Sequence, residues 1–433
     1  MLHRKGLILI CLVIAVLLAT GIWVRAPRPV QYVSPTGYVT TLEGYHFTTN
    51  KVRYEFPKGF SFRKLLPYRL KRDFVRYGSA EPERPGEPIL SCAMAVRIPD
   101  GKQGFTGRRL VVEDERGNEY DPVGQNAGNN GNNPTLEVFT IPSFPRRSDK
   151  LKLKLKAASE TVAEFEIPNP ARGEYPDWNA NVLPASATTG DLQVRLTEFV
   201  SERAMEYSGR VFPNTRCVFE IVQRGQVTTN WVPVQAEFSD ATGNRWNPGW
   251  FRDRLKYGEE KLTVVFYGAL WAEEKAWKIK VDFRQTASFA EGELLRMEGL
   301  EVPTGVGVTR PGSVHEQSDG RVELLGLFGP RADRDKAQDI FLNINPRPDA
   351  VTIALKLQLA EHERAFALVE ISDENGRPQE ILQIDDGPVS TEDERWVPLL
   401  VYFKPAPGVR KVSLVFAVPK IRQVEFLAKP VQK

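Results

Sequence analysis

Alternation of apolar and polar residues with a period of two recurs along the chain, which is the pattern of β-strands with one buried face. It is clearest in KLKLKLKA at residues 150–157, WKIKVDF at 277–283 and RKVSLVFAV at 410–418. Gly and Pro together make up 65 of the 433 residues and divide the chain into strand-length runs. No long amphipathic helix pattern is evident, so the sequence predicts an all-β fold.

Three segments share one local pattern, in which an alternating strand leads to an Asp and a Gly follows three residues later. They are VVEDERGNEYDP around Asp114, AEFSDATGNRWNP around Asp240 and VEISDENGRP around Asp373. An Asp side chain caps a turn and Gly accepts a positive φ, so each segment predicts a β-hairpin turn. The aspartates are 126 and 133 residues apart, which predicts units of about 130 residues.

Apolar residues keep the same distances from each Asp, which indicates that the three segments are copies of one module. Buried residues are expected two and four positions before the Asp, and 39 and 41 positions after it. These positions hold Val112, Leu110, Leu153 and Leu155 in the first copy, Phe238, Ala236, Ile279 and Val281 in the second, and Ile371, Val369, Val412 and Leu414 in the third. Each copy ends on an apolar strand that reaches Pro170, Pro303 or Pro430. The pattern predicts tandem immunoglobulin-like or related β-sandwich modules, about three in number.

Residues Gly6–Val24 form an uncharged, largely apolar run of 19 residues. A helix of this length just crosses a hydrocarbon core of about 30 Å. Arg4 and Lys5 precede the run and predict a cytoplasmic N-terminus. A cleaved signal peptide is the alternative, but the length of the run and Pro27 after a candidate cleavage site favour a retained signal-anchor. Both interpretations place the remaining chain outside the cytoplasm, periplasmic or at the cell surface of a bacterial envelope.

The anchor and the repeats divide the chain into six predicted parts. These are a cytoplasmic region at 1–5, the transmembrane helix at 6–24, a juxtamembrane linker at 25–44, and β-sandwich modules at 45–170, 171–303 and 304–433. The stretches between modules are predicted to be linkers, and their stiffness is left open.

Composition and charge exclude several classes of protein. The net charge of +3 gives no reason to expect a nucleic-acid partner. The three cysteines form neither a disulfide framework nor a metal-binding pair, and Cys92 and Cys217 are predicted to be buried thiols. In Lys150–Lys156 the leucines are expected to face the core and the lysines the solvent, which suits a strand at a sheet edge.

Catalytic and cofactor motifs are not recognisable. The chain has no G-x-S-x-G, P-loop or H-E-x-x-H sequence, and its four histidines lack metal-ligand spacing. We therefore expect no cofactor, no metal centre and no enzyme activity. Asp385 and Asp386 lie in an acidic loop and are weak candidates for Ca²⁺ ligands, although the loop does not match the EF-hand pattern.

The loop after the second Asp–Gly turn is the main binding candidate. Trp and Arg side chains carry much of the energy of protein interfaces, and exposed Trp rings also stack on sugars. The candidate residues are Trp246, Trp250, Phe251, Arg252 and Arg254. The alternative is that these tryptophans fill the core, as is expected of Trp231, Trp271 and Trp277.

A second candidate surface is the basic and aromatic stretch at residues 51–76, about 25 residues after the anchor. Lys and Arg near a bilayer are attracted to anionic headgroups. The candidate membrane-surface residues are Arg63, Lys64, Arg69, Lys71 and Arg72. The alternative is that the stretch forms the first strands of the first module.

The leading functional hypothesis is a non-enzymatic, membrane-anchored envelope protein that binds or scaffolds another envelope protein. The first alternative is a protein that binds glycan or cell wall through tryptophans of the second module. The second alternative is an unrecognised hydrolase.

Overall fold

The computed structural model is built almost entirely of β-strands, in agreement with the all-β prediction. Among the residues it describes, the helical elements reduce to a 3-10 turn at Glu291–Glu293. The described residues are 30–49, 51–55, 76–80, 88–99, 108–115, 117, 119–120, 126–129, 135–157, 160–207, 210–246, 261–310, 313–317, 320–333, 347–359, 364–386 and 396–433.

Within these ranges the chain forms no helix with the length and apolar character needed to span a bilayer. The predicted transmembrane segment, residues 6–24, lies outside them.

The first hydrophobic core lies between two sheets, which we call the first sandwich. One sheet has the order β1-β2-β5-β9-β8 and the other β11-β10-β6-β7. Phe139 and Leu153 are among the residues that fill the core between them. The strands are β1 Val30–Val33, β2 Val39–Thr48, β5 Ile89–Arg97, β6 Arg108–Glu113, β7 Glu119–Tyr120, β8 Asn126–Asn129, β9 Thr135–Ile141, β10 Lys150–Ala157 and β11 Glu160–Pro168; β3 Lys51–Glu55 and β4 Arg76–Ala80 pair separately.

The second sandwich encloses the largest core, with Phe219, Phe238 and Phe283 inside it. One sheet has the strand order β12-β13-β14-β15, and in it β18 also pairs with β14 and β30 pairs in parallel with β13. The other sheet has the order β17-β16-β19-β29. The strands are β12 Ala185–Thr189, β13 Leu192–Tyr207, β14 Arg210–Gln223, β15 Gln226–Val227, β16 Trp231–Asp240, β17 Arg245–Trp246, β18 Lys261–Tyr267, β19 Trp277–Gln285, β29 Arg422–Ala428 and β30 Val431–Gln432.

The third sandwich packs the sheet β20-β28-β25 against the sheet β21-β23-β24-β27-β26, with β22 also on β23. Leu324, Phe403 and Leu414 lie in its core. A smaller cluster around Phe328 and Tyr402 includes residues of the second sheet. The strands are β20 Leu294–Glu301, β21 Val308–Thr309, β22 Val314–Gln317, β23 Gly320–Phe328, β24 Val351–Leu359, β25 Ala367–Asp373, β26 Glu380–Asp386, β27 Trp396–Lys404 and β28 Lys411–Ala417.

One three-strand register recurs in the three sandwiches that the described residues form. The central residues Leu153, Ile279 and Leu414 are paired on one side with Val112, Phe238 and Ile371, and on the other with Phe165, Phe426 and Met297. In the third sandwich the central residue is Leu414 rather than Val412. Leu414 lies 41 residues after its Asp, whereas Leu153 and Ile279 lie 39 residues after theirs, and Val412 and Leu414 are both buried as predicted.

The outer strand of this trio comes from different places in the chain. In the first sandwich it is β11, which follows β10 directly. In the second sandwich it is β29, close to the end of the chain, and in the third it is β20, which precedes the other strands. β20 precedes the predicted module boundary at residues 303–304 but belongs to the third sandwich, and β29 follows that boundary but belongs to the second. The chain therefore passes between the second and third sandwiches twice.

The predicted Asp–Gly turns form as expected. The backbone N–H of Gly117, Gly243 and Gly376 donates to the carbonyl of Asp114, Asp240 and Asp373, respectively. The three glycines have φ of 79°, 88° and 77°, the left-handed region that favours glycine. Cys92 and Cys217 are buried free thiols, as predicted.

Two predictions about the first module are wrong. The linker placed at residues 25–44 holds β1 and the first half of β2, because a turn at Ser34–Gly37 folds two short strands together and buries Tyr38 and Leu42. β10 is not an edge strand, because β11 and β6 pair on its two sides. Its lysines face outward as expected, and Lys152 and Lys154 form ion pairs with Glu113 on β6.

Candidate functional site

Asp240 organises the turn that joins the first and second sandwiches. Its Oδ1 accepts hydrogen bonds from the backbone N–H groups of Thr242 and Asn244, at 2.9 and 3.0 Å. Its Oδ2 accepts from Asn244 Nδ2 at 2.7 Å and from Trp271 Nε1 at 3.1 Å. These bonds satisfy a buried carboxylate and fix the turn in one conformation.

The loop after β9 of the first sandwich docks on this turn. Asn244 binds both backbone groups of Phe144, accepting from its N–H at 3.3 Å and donating to its carbonyl at 3.0 Å. Arg146 donates to the carbonyl of Thr242 at 2.9 Å, while its guanidinium lies 5.1 Å from the centroid of Phe47. The junction therefore has directional bonds as well as apolar contact.

A reciprocal contact comes from the turn of the first sandwich. Tyr120 of β7 belongs to the second core and meets the Trp271 ring edge-on at 6.0 Å, and its hydroxyl donates to Asp114 at 3.0 Å. Trp271 in turn packs against Trp277 at 4.8 Å. Each sandwich thus presents its Asp–Gly turn to the loop of the other, and the two tips interlock.

Glu274 is a buried carboxyl group at the junction, and within the described structure only one of its two oxygens has a hydrogen-bond partner. Its Oε1 accepts from Arg147 Nε at 3.0 Å, whereas its Oε2 is buried and has no hydrogen-bond partner among the described residues. Burial and the nearby charge of Asp240 raise the pKa of Glu274 to about 7, against the opposing influence of Arg147. A carboxyl group with this pKa titrates in the physiological range.

The equivalent turn of the third sandwich, at Asp373–Arg377, is exposed instead. Asp373 Oδ1 accepts from the N–H groups of Asn375 and Arg377, both at 2.8 Å, so the local geometry is the same. Residues 374–378 are nevertheless open to solvent. The following loop at 405–409 reads PAPGV and lacks an aromatic residue such as Phe144 or Trp271.

Beside this turn the third sandwich has an apolar lateral edge, which we call the open edge. Val369 on β25 is 40% exposed, and Ile381 and Ile384 on β26 are 37% and 36% exposed. Among the described strands, β26 is the last one of its sheet. Ile381 and Ile384 are paired with the core residues Phe403 and Val401, so the apolar layer of the core continues to the surface.

The other two sandwiches bury the corresponding position. Leu110 and Ala236 stand where Val369 stands, and both are buried. Val369 was therefore wrongly predicted to be buried, because a bulge between Leu368 and Glu370 turns β25 at this point. β6 and β16 also pair with the short strands β7 and β17. At the same place β25 has a single bridge, between Ser372 and Pro378.

Only one member of the predicted binding loop lies within the described residues. Trp246 is 6% exposed and packs on Phe238, with ring centroids 5.2 Å apart, so its faces are covered by the second core. This placement favours the core-packing alternative for Trp246, and Trp231, Trp271 and Trp277 are also buried as expected. Trp250, Phe251, Arg252 and Arg254 lie outside the described residues.

The remaining predicted sites are not brought together by the described structure. Asp385 and Asp386 lie at the end of β26, and no cluster of three or more metal-ligating side chains occurs in the described part of the chain. The membrane-surface candidates Arg63, Lys64, Arg69, Lys71 and Arg72 lie outside the described ranges, between β3 and β4.

Sequence reasoning missed both the junction and the open edge. Asn244 follows the Gly of its turn, and nothing in that pattern shows that a loop 100 residues earlier binds it. A signal for the open edge was present, because the third segment lacks the aromatic residue that stands at Tyr120 and Trp246 and has Gln379 there.

The fold and these surfaces define a class, an all-β protein made of antiparallel sheets packed in sandwich fashion. Comparison with protein-family models finds none that matches the chain, and no curated protein matches it either.

Proposed function

We propose that this chain is a non-enzymatic, membrane-anchored envelope protein, made of three copies of one β-sandwich, that holds a partner protein at the open edge of its third sandwich. The exposure of Val369, Ile381 and Ile384 carries the proposal. Exposed apolar side chains on and beside an edge strand are typical of interaction sites.

The three copies are inferred from the recurrent register around Leu153, Ile279 and Leu414. The interlocked tips and the exchanged strands β20 and β29 support a stiff array, because docked interfaces and double connections limit movement between domains. A stiff array anchored by residues 6–24 would hold the partner at a fixed distance from the membrane.

The chemistry of the partner is inferred from the sequence of β26, EILQIDD. β26 contains Glu380, Asp385 and Asp386 and no basic residue. A partner with an apolar side chain flanked by Lys or Arg complements this edge. A second copy of the chain does not, because a two-fold contact would place acidic strands against each other.

Site-directed photo-crosslinking in membranes tests the proposal. A photoreactive residue at Ile381 of the full-length protein is expected to give a discrete adduct with a different protein, joined beside a Lys or Arg. The same probe at Val182, which is 88% exposed in the segment before β12, is the matched control and should give none.

Glu380→Lys should abolish the adduct, because it reverses an exposed charge at the edge. The proposal would be overturned if position 381 gave no adduct or an adduct with a second copy of the chain. Crosslinking to a partner segment without basic residues, insensitive to Glu380→Lys, would contradict the stated partner chemistry.

A further inference from the structure

The junction between the first and second sandwiches contains a buried carboxyl group that the proposed scaffold role does not require. Glu274 is 1% exposed and lies between Trp271 and Trp277 in sequence, at the contact with Arg147 of the first sandwich. A carboxylate in such a place is stable only when both oxygens are paired. Here one oxygen is bound and the other has no hydrogen-bond partner in the described structure.

The charges around Glu274 come from every segment that meets at this point. The loop after β9 contributes Arg147, and the end of β16 contributes the fully bonded carboxylate of Asp240. The segment before β12 contributes Asp177, which lies 3.6 Å from Arg147 and is bound by Lys275. Tyr175 lies under the Arg147 guanidinium, at 5.8 Å from its ring centroid.

Arg147 is therefore shared between two carboxylates and cannot neutralise Glu274 alone. It also donates to the carbonyl of Pro176 at 2.7 Å. When Glu274 is ionised, its charge is repelled by the buried carboxylate of Asp240, and one of its oxygens has no donor in the described structure. When Glu274 is protonated, the repulsion disappears and the hydroxyl becomes a donor.

We propose that Glu274 makes the docking of the first sandwich on the second sensitive to pH, with acid closing the junction and alkali loosening it. The sign follows from linkage. Undocking removes both the burial that raises the pKa of Glu274 and the ion pair with Arg147 that lowers it. Burial is the larger influence, so the pKa of about 7 in the docked state falls towards the usual value of 4.5 on undocking. The docked state therefore binds more protons between these values, and docking weakens as pH rises through that window.

Hydrogen exchange of the full-length protein tests this inference. After correction for intrinsic exchange, amides of Ser143–Arg147 and Asp240–Asn244 should be protected at least tenfold more at pH 5 than at pH 8. A full return of the pKa of Glu274 from about 7 to 4.5 on undocking would set a ceiling of about 70-fold between these two pH values. Amides of β24 in the third sandwich should show no such change, which separates local opening from global unfolding.

Glu274→Gln should abolish the pH dependence and keep the junction protected at both pH values. Glu298→Gln, which removes an exposed carboxylate on β20, is the matched control and should behave like the unmodified protein. In Arg147→Gln the loss of protection, measured against the protection of the same variant at pH 5, should occur at a higher pH. The reason is that Arg147 lowers the pKa of Glu274. Equal profiles for the unmodified and Glu274→Gln proteins, or stronger protection at pH 8, would overturn the inference.

Discussion

Phe426 of β29 lies directly opposite Ile279 in the second sandwich, although the two are 147 positions apart in sequence. Met297 stands in the equivalent position opposite Leu414 of the third sandwich, although it precedes that unit in sequence. A substitution at Phe426 should therefore destabilise the second sandwich, and a substitution at Met297, which comes earlier in the chain, should destabilise the third.

Phe426→Ala should destabilise the second sandwich by about 3–5 kcal/mol, because it removes a buried ring from that core. Thiol labelling with Cys11 replaced by Ala reports the location of the damage. Cys217 on β14 should react faster and Cys92 on β5 should stay protected, since burial raises both thiol pKa values and keeps both inert in the intact cores.

Met297→Ala is the matched control for that prediction. It should cost about 2–5 kcal/mol in the third core and leave both cysteines unreactive. Faster labelling of Cys217 in Met297→Ala, or none in Phe426→Ala, would contradict the observed strand exchange.

Asn244→Ala should loosen the junction, because it leaves the buried N–H and carbonyl of Phe144 without their partner. Unsatisfied buried groups cost about 1–3 kcal/mol each. Proteolytic cleavage between residues 172 and 184 is the appropriate measurement, since unfolding of the whole chain is not expected to be two-state. Asn375→Ala in the exposed third turn should leave cleavage unchanged, and equal cleavage in both variants would contradict the prediction.

The ion pairs between Glu113 and the lysines on the outer face of β10 predict that the first sandwich loses stability in acid. Burial raises the pKa of Glu113, but hydrogen bonds from Lys154 and Lys152 outweigh it and lower the pKa below 4.5. The stabilisation is therefore complete above pH 4.5 and is lost as the pH falls through the lowered pKa.

Glu113→Gln should cost the first sandwich about 1–2 kcal/mol at pH 7 and flatten this acid dependence in thermal melts. Glu166→Gln removes an exposed ion pair with Lys150 on the same sheet, and its effect should be close to zero. A larger loss from Glu166→Gln than from Glu113→Gln would show that burial does not set the strength of these pairs.

Residues 6–24 are predicted to hold the protein in the membrane. Full-length protein should stay with membranes after alkaline extraction, and a form exported without residues 1–24 should be released. A mature protein that starts after residue 21 or 26 would instead support the cleaved signal peptide.

Local patterns were sufficient to predict the all-β class, the three Asp–Gly turns and the buried faces of strands such as β10 and β19. They act through neighbouring residues, so Leu153 and Ile279 could be assigned to cores from alternation alone. The choice between β20 and β29 could not be predicted, because both are alternating apolar strands that approach a proline. Whether β20 or β29 completes the sheet of the second sandwich depends on pairing between residues that are far apart in the sequence.

The candidate sites were harder to predict, because exposure depends on what covers a residue. Trp246 resembles an interface anchor in sequence, yet its turn folds it onto Phe238. Val369 resembles a core residue, yet a bulge of one residue turns it outward. Neither outcome is encoded in the period of the surrounding strand.

The place of β29 in the second sandwich has a consequence for biogenesis. The first sandwich is complete once Pro168 has been made, but the second requires residues 422–428, which follow every strand of the third sandwich. Without β29, Ile279 and Val281 keep β16 on one side and have no partner strand on the other. Synthesis of the third sandwich therefore has to precede completion of the second.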